Sequence, residues 1–283
     1  MNTSKAKKEK PFSVFRSNRI LQSFWTLNEE MQPRNKVTFV REIDASAMEK
    51  LREKLLQTSG VKPSFTAIIV KAAAIALSEF PYTNRGIFGP SFFKRLVQFN
   101  SYDIAVAVER NVPDAEAVVV VETIYDSNKK TLDAVTQELK GFADVKSEST
   151  ERWSLFHTLL SRLPVFLSKW ILRMPKYSPS LWLKHRGGAC FVNSPAKYGI
   201  DFLVADMLWP LTVSFGWIKE RPFVVKGELA VRKTMPLIIV FDRRIMAGAP
   251  AAKFFNRLAL ILENAEEEIS AKYEDFKSYT EAV

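Results

Sequence analysis

The apolar residues of this chain fall into two spacings, and the spacings predict its elements. Positions 37–43 alternate, with Val37, Phe39, Arg41 and Ile43 on one face, which is the signature of a half-buried strand. Ser46-Ala47-Met48-Glu49 reads as a capping box that opens a helix to about Gln57, stopped by Gly60. Ser64 caps a second helix, Phe65 to Phe80, ended by Pro81; it is apolar around most of its circumference and so belongs inside a core. Asp103–Val108 and Ala117–Glu122 read as strands around a turn at Asn111–Asp114, and Thr131 caps a helix to about Phe142. A mixed pattern from Phe12 to Met31 reads as a further helix. Near the C-terminus, Pro236–Asp242 is a short apolar β-branched run, hence a buried strand. It turns through Arg243, Arg244 and Gly248. It resumes as an amphipathic helix from Pro250 to Leu262, with Ala252, Phe255, Leu258, Ala259 and Leu262 inward.

Strands and helices intermixed in this order predict an α/β fold, a mixed sheet with helices packed on it. With 283 residues and a hydrophobic fraction of 47%, the chain can bury a substantial core. The expected organisation is a basic tail at 1–11, disordered, and a single domain over 12–283. A net charge of +10 favours anionic partners. No clustered basic-aromatic motif accompanies it, so nucleic acid ranks last. The one cysteine, Cys190, lies in an apolar strand-like run and reads as a small core residue. It has no internal disulfide partner, which points to a reducing, cytoplasmic compartment. No run reaches the roughly 18 apolar residues that a membrane-spanning helix needs.

The order of these fragments resembles the acyltransferase core of 2-oxo acid dehydrogenase complexes, whose fold is shared with chloramphenicol acetyltransferase. The likeness is carried by the apolar helix ending in Phe80-Pro81, by Gly187-Gly188-Ala189-Cys190-Phe191-Val192-Asn193-Ser194, by Lys226-Gly227-Glu228, and by the strand–turn–helix at 236–262. It implies a homotrimer, with active sites between subunits and coenzyme A or acyl-coenzyme A as the cofactor. The family motif at the turn is His-x-x-x-Asp-Gly. Arg243 stands in place of the histidine, Ala247 in place of the aspartate, and Gly248 matches.

A general base at this turn is worth about 10²–10⁴ in rate. A guanidinium cannot serve as one, because its pKa lies above about 12 and it carries donors but no acceptor. Ala247 cannot form the ion pair of the motif aspartate. The two histidines, His157 and His185, lie elsewhere, and Asp242 points to the opposite strand face from its neighbour Arg243. Ser194 stands where the family places a hydroxyl that donates to the oxyanion, and it reads equally well as a strand-end turn residue. The expectation is a catalytically degenerate acyltransferase-fold protein acting as a structural or binding subunit. The alternatives are an acyltransferase of unfamiliar mechanism and a lipid-binding protein on this frame. The last two rest on an insertion at about 150–186. Between Arg152 and Ile200 there is no acidic residue, while Phe156, Leu159, Leu160, Leu163, Leu167, Trp170, Ile171 and Met174 fall at helical spacing, with Trp153 and Trp182 at the edges. That composition fits a membrane surface or an acyl-lipid contact through Arg152–Lys184, or a helix packed on the protein itself.

Overall fold

Strand β1 (Lys36–Asp44) pairs antiparallel with the long strand β9 (Glu228–Asp242), from Lys36 opposite Asp242 to Asp44 opposite Thr234. The computed structural model describes residues 35–90, 92–110, 118–144 and 163–269. The expected tail, the helix over 12–31, the turn at 111–114 and the first part of the basic segment lie outside them. Strand β9 also pairs with β7 (Leu211–Phe215) and β8 (Lys219–Val225), both antiparallel. Strand β7 runs parallel to β6 (Cys190–Asn193), β6 runs parallel to β4 (Ile104–Arg110), and β4 pairs antiparallel with β5 (Val118–Ile124). The result is a mixed seven-stranded sheet in the order β1-β9-β7-β6-β4-β5, with β8 on β9.

One face of the sheet meets the helices. Leu237, Ile239 and Phe241 of β9, Leu211 and Val213 of β7, and Cys190 and Val192 of β6 project into the main core. Against them pack α1 (Ser46–Ser59), α2 (Phe65–Glu79), α3 (Leu132–Asp144) and α6 (Gly248–Glu263). Helix α2 is buried from Ala67 to Leu77, as its all-round apolarity predicted, and Ser64 Oγ accepts the Ala67 amide at 3.1 Å. Each large side chain buried here contributes roughly 1.5–3 kcal/mol of transfer free energy. Cys190 is fully buried, and burial pushes its thiol up to about 12. A smaller aromatic cluster lies on the other face: Phe191 of β6, Trp209, Phe88 and Phe99 from the hairpin β2 (Arg85–Phe88) and β3 (Arg95–Gln98), and Trp182.

Four expectations need correction. Helix α1 has no capping box; the Asp44 carboxylate accepts the Ser46 amide at 2.8 Å, and Glu49 turns instead to Arg52. In α6 the inward face starts at Ala251, not Ala252, which is exposed. Among the described residues, the basic segment is not one helix running through to Trp182. Helix α4 (Val165–Arg173) ends at a 3₁₀ turn, Met174–Lys176, and α5 (Pro179–Arg186) follows. Trp182, expected at the rim of an interfacial helix, is a core residue whose ring sits 5.6 Å from Phe88 and whose Nε1 donates to Gly188 O at 3.0 Å.

Candidate functional site

The turn after β9 is shaped by a charge pair invisible in the linear pattern. Asp242 is buried at the strand end, on the sheet face away from the helices. Arg244 folds back over it: its amide donates to Oδ1 at 2.9 Å and its guanidinium to both carboxylate oxygens at 2.9, 3.1 and 2.5 Å. Burial alone raises the Asp242 pKa. The hydrogen bonds from Arg244, together with the charges of Arg244 and Lys36, outweigh it and hold the carboxyl below its usual range. Lys36, directly across from Asp242, donates to Trp209 O at 2.6 Å, and Trp209 Nε1 donates to Arg186 O at 2.9 Å. Burial lowers the Lys36 pKa, partly offset by Asp242 and Asp206. A run of polar contacts therefore ties the motif turn to the end of α5.

Arg243 itself is exposed, and its amide donates to Asn35 O at 2.9 Å. Ile245 and Met246 then dip into the core. Ala247, exposed, is the N-cap of α6 in extended conformation (φ −75°, ψ 170°), and with no side-chain oxygen it caps nothing. Gly248 opens the helix, and a Cβ on it would meet no atom within 4 Å. The helix start and the end of α2 border a cleft of about 480 Å³ lined by Phe80, Tyr82, Arg85, Met246, Ala247 and Lys253 among others. Tyr82 donates to Pro250 O at 3.1 Å, and burial pushes its phenol up. The ionisable side chains at this cleft are cationic or phenolic, and the one carboxylate of the turn is held ionised under Arg244. The arrangement suits holding an anion better than removing a proton.

Ser194 lies elsewhere. Its hydroxyl donates to Phe215 O at 2.7 Å and accepts the Ala196 amide at 3.0 Å, closing the turn after β6. Asn193 is opposite Ser214, and Ser214 is opposite Ile238, so Ser194 sits by the middle of β9. Arg243 is five residues beyond Ile238, just past the end of β9, or on the order of 15–20 Å away once the strand spacing is added. One copy of the chain does not bring Ser194 to the motif turn. Of the two histidines, His185 is on α5 and His157 falls outside the described residues. Among the described residues no group of three or more His, Cys, Asp or Glu could hold a metal ion. The Asp242–Arg244 clamp and the Arg85 and Lys253 walls were missed by sequence reasoning; only the adjacency of Asp242 to two arginines hinted at the clamp.

The family model described as 2-oxoacid dehydrogenases acyltransferase (catalytic domain) matches residues 7–151 and 184–269. The chain belongs to that family. The match breaks over 152–183, within the acid-free segment. Among similar proteins is the dihydrolipoyllysine-residue acetyltransferase component of the pyruvate dehydrogenase complex of Acholeplasma laidlawii, 23% identical over 228 residues, or 79% of this chain and 35% of the relative. The chain spans between a third and a half of the length of the curated relatives it matches. Among solved structures, the Azotobacter vinelandii dihydrolipoamide acetyltransferase superposes with a TM-score of 0.65 at 20% identity, covering 91% of this chain and 93% of that one. For that enzyme a serine, a histidine and an asparagine have been investigated for their role in the catalytic mechanism, the asparagine four residues after the histidine. The cubic core of a pyruvate dehydrogenase multienzyme complex gives the same score at 20% identity, over 93% and 95% of the two chains. These structures share the mixed α/β fold expected from the sequence.

Proposed function

We propose that this domain keeps the acyltransferase frame without its proton-transfer chemistry and serves as a structural or binding subunit assembled as a homotrimer. The observation that carries the reading is the composition of the motif turn. Arg243 and Ala247 are four residues apart, the spacing of the histidine and asparagine studied in the Azotobacter vinelandii enzyme. Arg243 offers donors only. The nearest carboxylate, Asp242, is held ionised by Arg244 rather than poised to accept a proton. Ser194 spends its single hydroxyl hydrogen on Phe215 O. Two features support assembly. The family resemblance implies a trimer, and Ser194 and the motif turn are too far apart for one copy to join them. We read the chain from residue 12 as one domain with an insertion at about 150–186, and the break in the family match over 152–183 supports this.

The test is transfer of an acetyl group from acetyl-coenzyme A to dihydrolipoamide, with the oligomer mass measured on the same sample. No turnover above the uncatalysed rate is expected. Restoring the motif in the double variant Arg243→His/Ala247→Asp should raise turnover by about tenfold or more if the channel between subunits survives. Turnover by the native chain that falls at least tenfold in Ser194→Ala would overturn the reading in favour of a working acyltransferase with another mechanism.

A further inference from the structure

Two segments of the described structure carry exposed aromatic side chains, several cations and no carboxylate. The first is 80–102, which holds the β2–β3 hairpin; its cations are Arg85, Lys94 and Arg95. The second is 163–200, with α4 and α5; its cations are Lys169, Arg173, Lys176, Lys184, Arg186 and Lys197. Not all of them face outward: Lys197 pairs with Glu109 at 2.5 Å, and Arg186 is buried and donates to Leu172 O at 2.8 Å, so the outward charge rests first on the exposed Lys94, Arg95 and Lys176. The two segments meet on the sheet face away from the helices, where Phe88 of the hairpin stacks edge-on against Trp182 of α5.

From that shared base each sends apolar side chains outward. At the hairpin tip Phe92 is 90% and Phe93 62% exposed, with Lys94 and Arg95 beside them. The tip is built for this presentation. Gly89 has φ +111°, a Cβ there would lie 2.2 Å from Phe93 O, and the Phe93 amide donates to Pro90 O at 2.9 Å. On α4, Phe166 is 75% and Trp170 63% exposed, one turn apart on one stripe, while the polar Ser168 is the residue turned inward. Leu167, Ile171 and Leu172 are half-buried beside it, so the helix is apolar on its outward side as well as on the side it packs. No described helix is long and apolar enough to cross a membrane.

We infer that the β2–β3 tip and α4 form one docking face for an anionic phospholipid surface, with Phe92, Phe93, Phe166 and Trp170 entering the headgroup boundary and the surrounding lysines and arginines meeting lipid phosphates. Aromatic side chains ringed by cations are what such a surface recognises. Charge argues against a symmetric contact between two copies of this face, since cations would oppose cations across it. The proposal is independent of whether the motif turn catalyses.

The test is co-sedimentation of the full chain with vesicles of phosphatidylcholine alone and with about 30% phosphatidylserine, at low salt and at about 0.5 M salt. Binding is expected only with phosphatidylserine, and it is expected to weaken at high salt. Lys94→Glu/Arg95→Glu should lower the partition coefficient by on the order of tenfold or more. Phe166→Ser/Trp170→Ser should do the same while leaving the circular dichroism spectrum and the oligomer mass unchanged. The blue shift in tryptophan emission on adding vesicles should shrink in Trp170→Phe. Absence of binding to phosphatidylserine vesicles at low salt would overturn the proposal. So would a Phe166→Ser/Trp170→Ser variant that binds vesicles as the native chain does. A fall in oligomer mass in that variant would assign the face to contacts between copies and likewise overturn it.

Discussion

Replacing Ala247 with aspartate separates the structural and chemical roles of the motif position. Ala247 is the N-cap of the sixteen-residue helix α6, and its backbone (φ −75°, ψ 170°) is already the extended conformation that a capping side chain uses. It is exposed, so a larger side chain displaces nothing. The free amides of the first turn are those of Gly248 and Ala249, since Pro250 has none; the N-cap side chain accepts neither, and the turn has no acidic residue. An aspartate cap is worth about 0.5–2 kcal/mol, and its charge at the positive end of the helix adds about 0.3–1 kcal/mol. Ala247→Asp should therefore stabilise the fold by about 1–2 kcal/mol, or raise Tm by roughly 2–8 °C for a chain of this size.

The pH dependence identifies the cause. A capping carboxylate has its pKa lowered on folding, so its contribution is full above the unfolded value of about 3.9 and is lost as the pH falls through the folded value. Ala247→Asn caps without a charge and should keep its gain at low pH. Urea unfolding at pH 7 and near pH 3.5, at fixed protomer concentration because assembly adds to apparent stability, measures both. An unchanged midpoint in Ala247→Asp would refute the argument. An equal rise in Ala247→Leu would show that the gain came from packing. A clear gain without acetyl transfer would mean that an acid at this position can serve the helix alone.

Lys71 is buried in α2 and donates to Asn128 O and Lys130 O at 2.9 and 2.6 Å, and burial lowers its pKa to about 8. The unfolded chain binds this proton more tightly, so stability should rise as pH increases from about 8 to 10.5, by up to about 3 kcal/mol, and this slope should vanish in Lys71→Met when unfolding is followed across that range. Trp182→Ala removes the centre of the aromatic cluster and the bond to Gly188 O, and should cost about 3–5 kcal/mol by urea denaturation. In Gly188→Ala the new Cβ would sit 2.2 Å from Asp103 O, so the strand pair must part, and loss of more than about 3 kcal/mol or failure to fold is expected. Gly248→Ala, with open space around the Cβ, should instead leave the midpoint unchanged or slightly higher, and a fall in oligomer mass there would place the demand for glycine in a neighbouring copy.

What could be read in the sequence was whatever a single local rule decides. Helix α2 was legible because Ser64, an all-apolar run and Pro81 agree. Strand β1 was legible because its alternation matches one half-buried face. The turn at Lys226 and Gly227, with φ of 52° and 89°, was read through the family likeness of Lys226-Gly227-Glu228 and not from a local rule. Failures came where two rules compete or where the partner is distant. Asp44 and Ser46 both offer an oxygen to the start of α1, and the carboxylate wins. The β2–β3 hairpin went unread because its apolar residues do not alternate; Phe88 and Phe99 feed the small cluster while Phe92 and Phe93 face water. In the basic segment, helical spacing defined a stripe but not what it meets. Trp182 went inward and Trp170 outward, the reverse of a belt of tryptophans around one helix. The first half of β9 was invisible because neither of its faces is buried.

At the candidate site the sequence named the right turn and could not show its distance from Ser194. That distance carries the argument about assembly. Strand β6 delivers Ser194 from its C-terminal end, and β7 runs parallel to it. Strand β9 runs antiparallel to β7 and releases Arg243 at the opposite end. No rotamer of either residue spans the sheet between them. A site using both must take one from each of two copies, whatever chemistry it performs. Binding of coenzyme A, measured by calorimetry, should then disappear under dilution or mild denaturant at the point where the oligomer mass falls, before the secondary structure is lost. Binding that persists in the dissociated chain would locate the ligand within a single copy, with the cleft beside Arg85 and Lys253 as the place to look, and would remove assembly from the account of this fold.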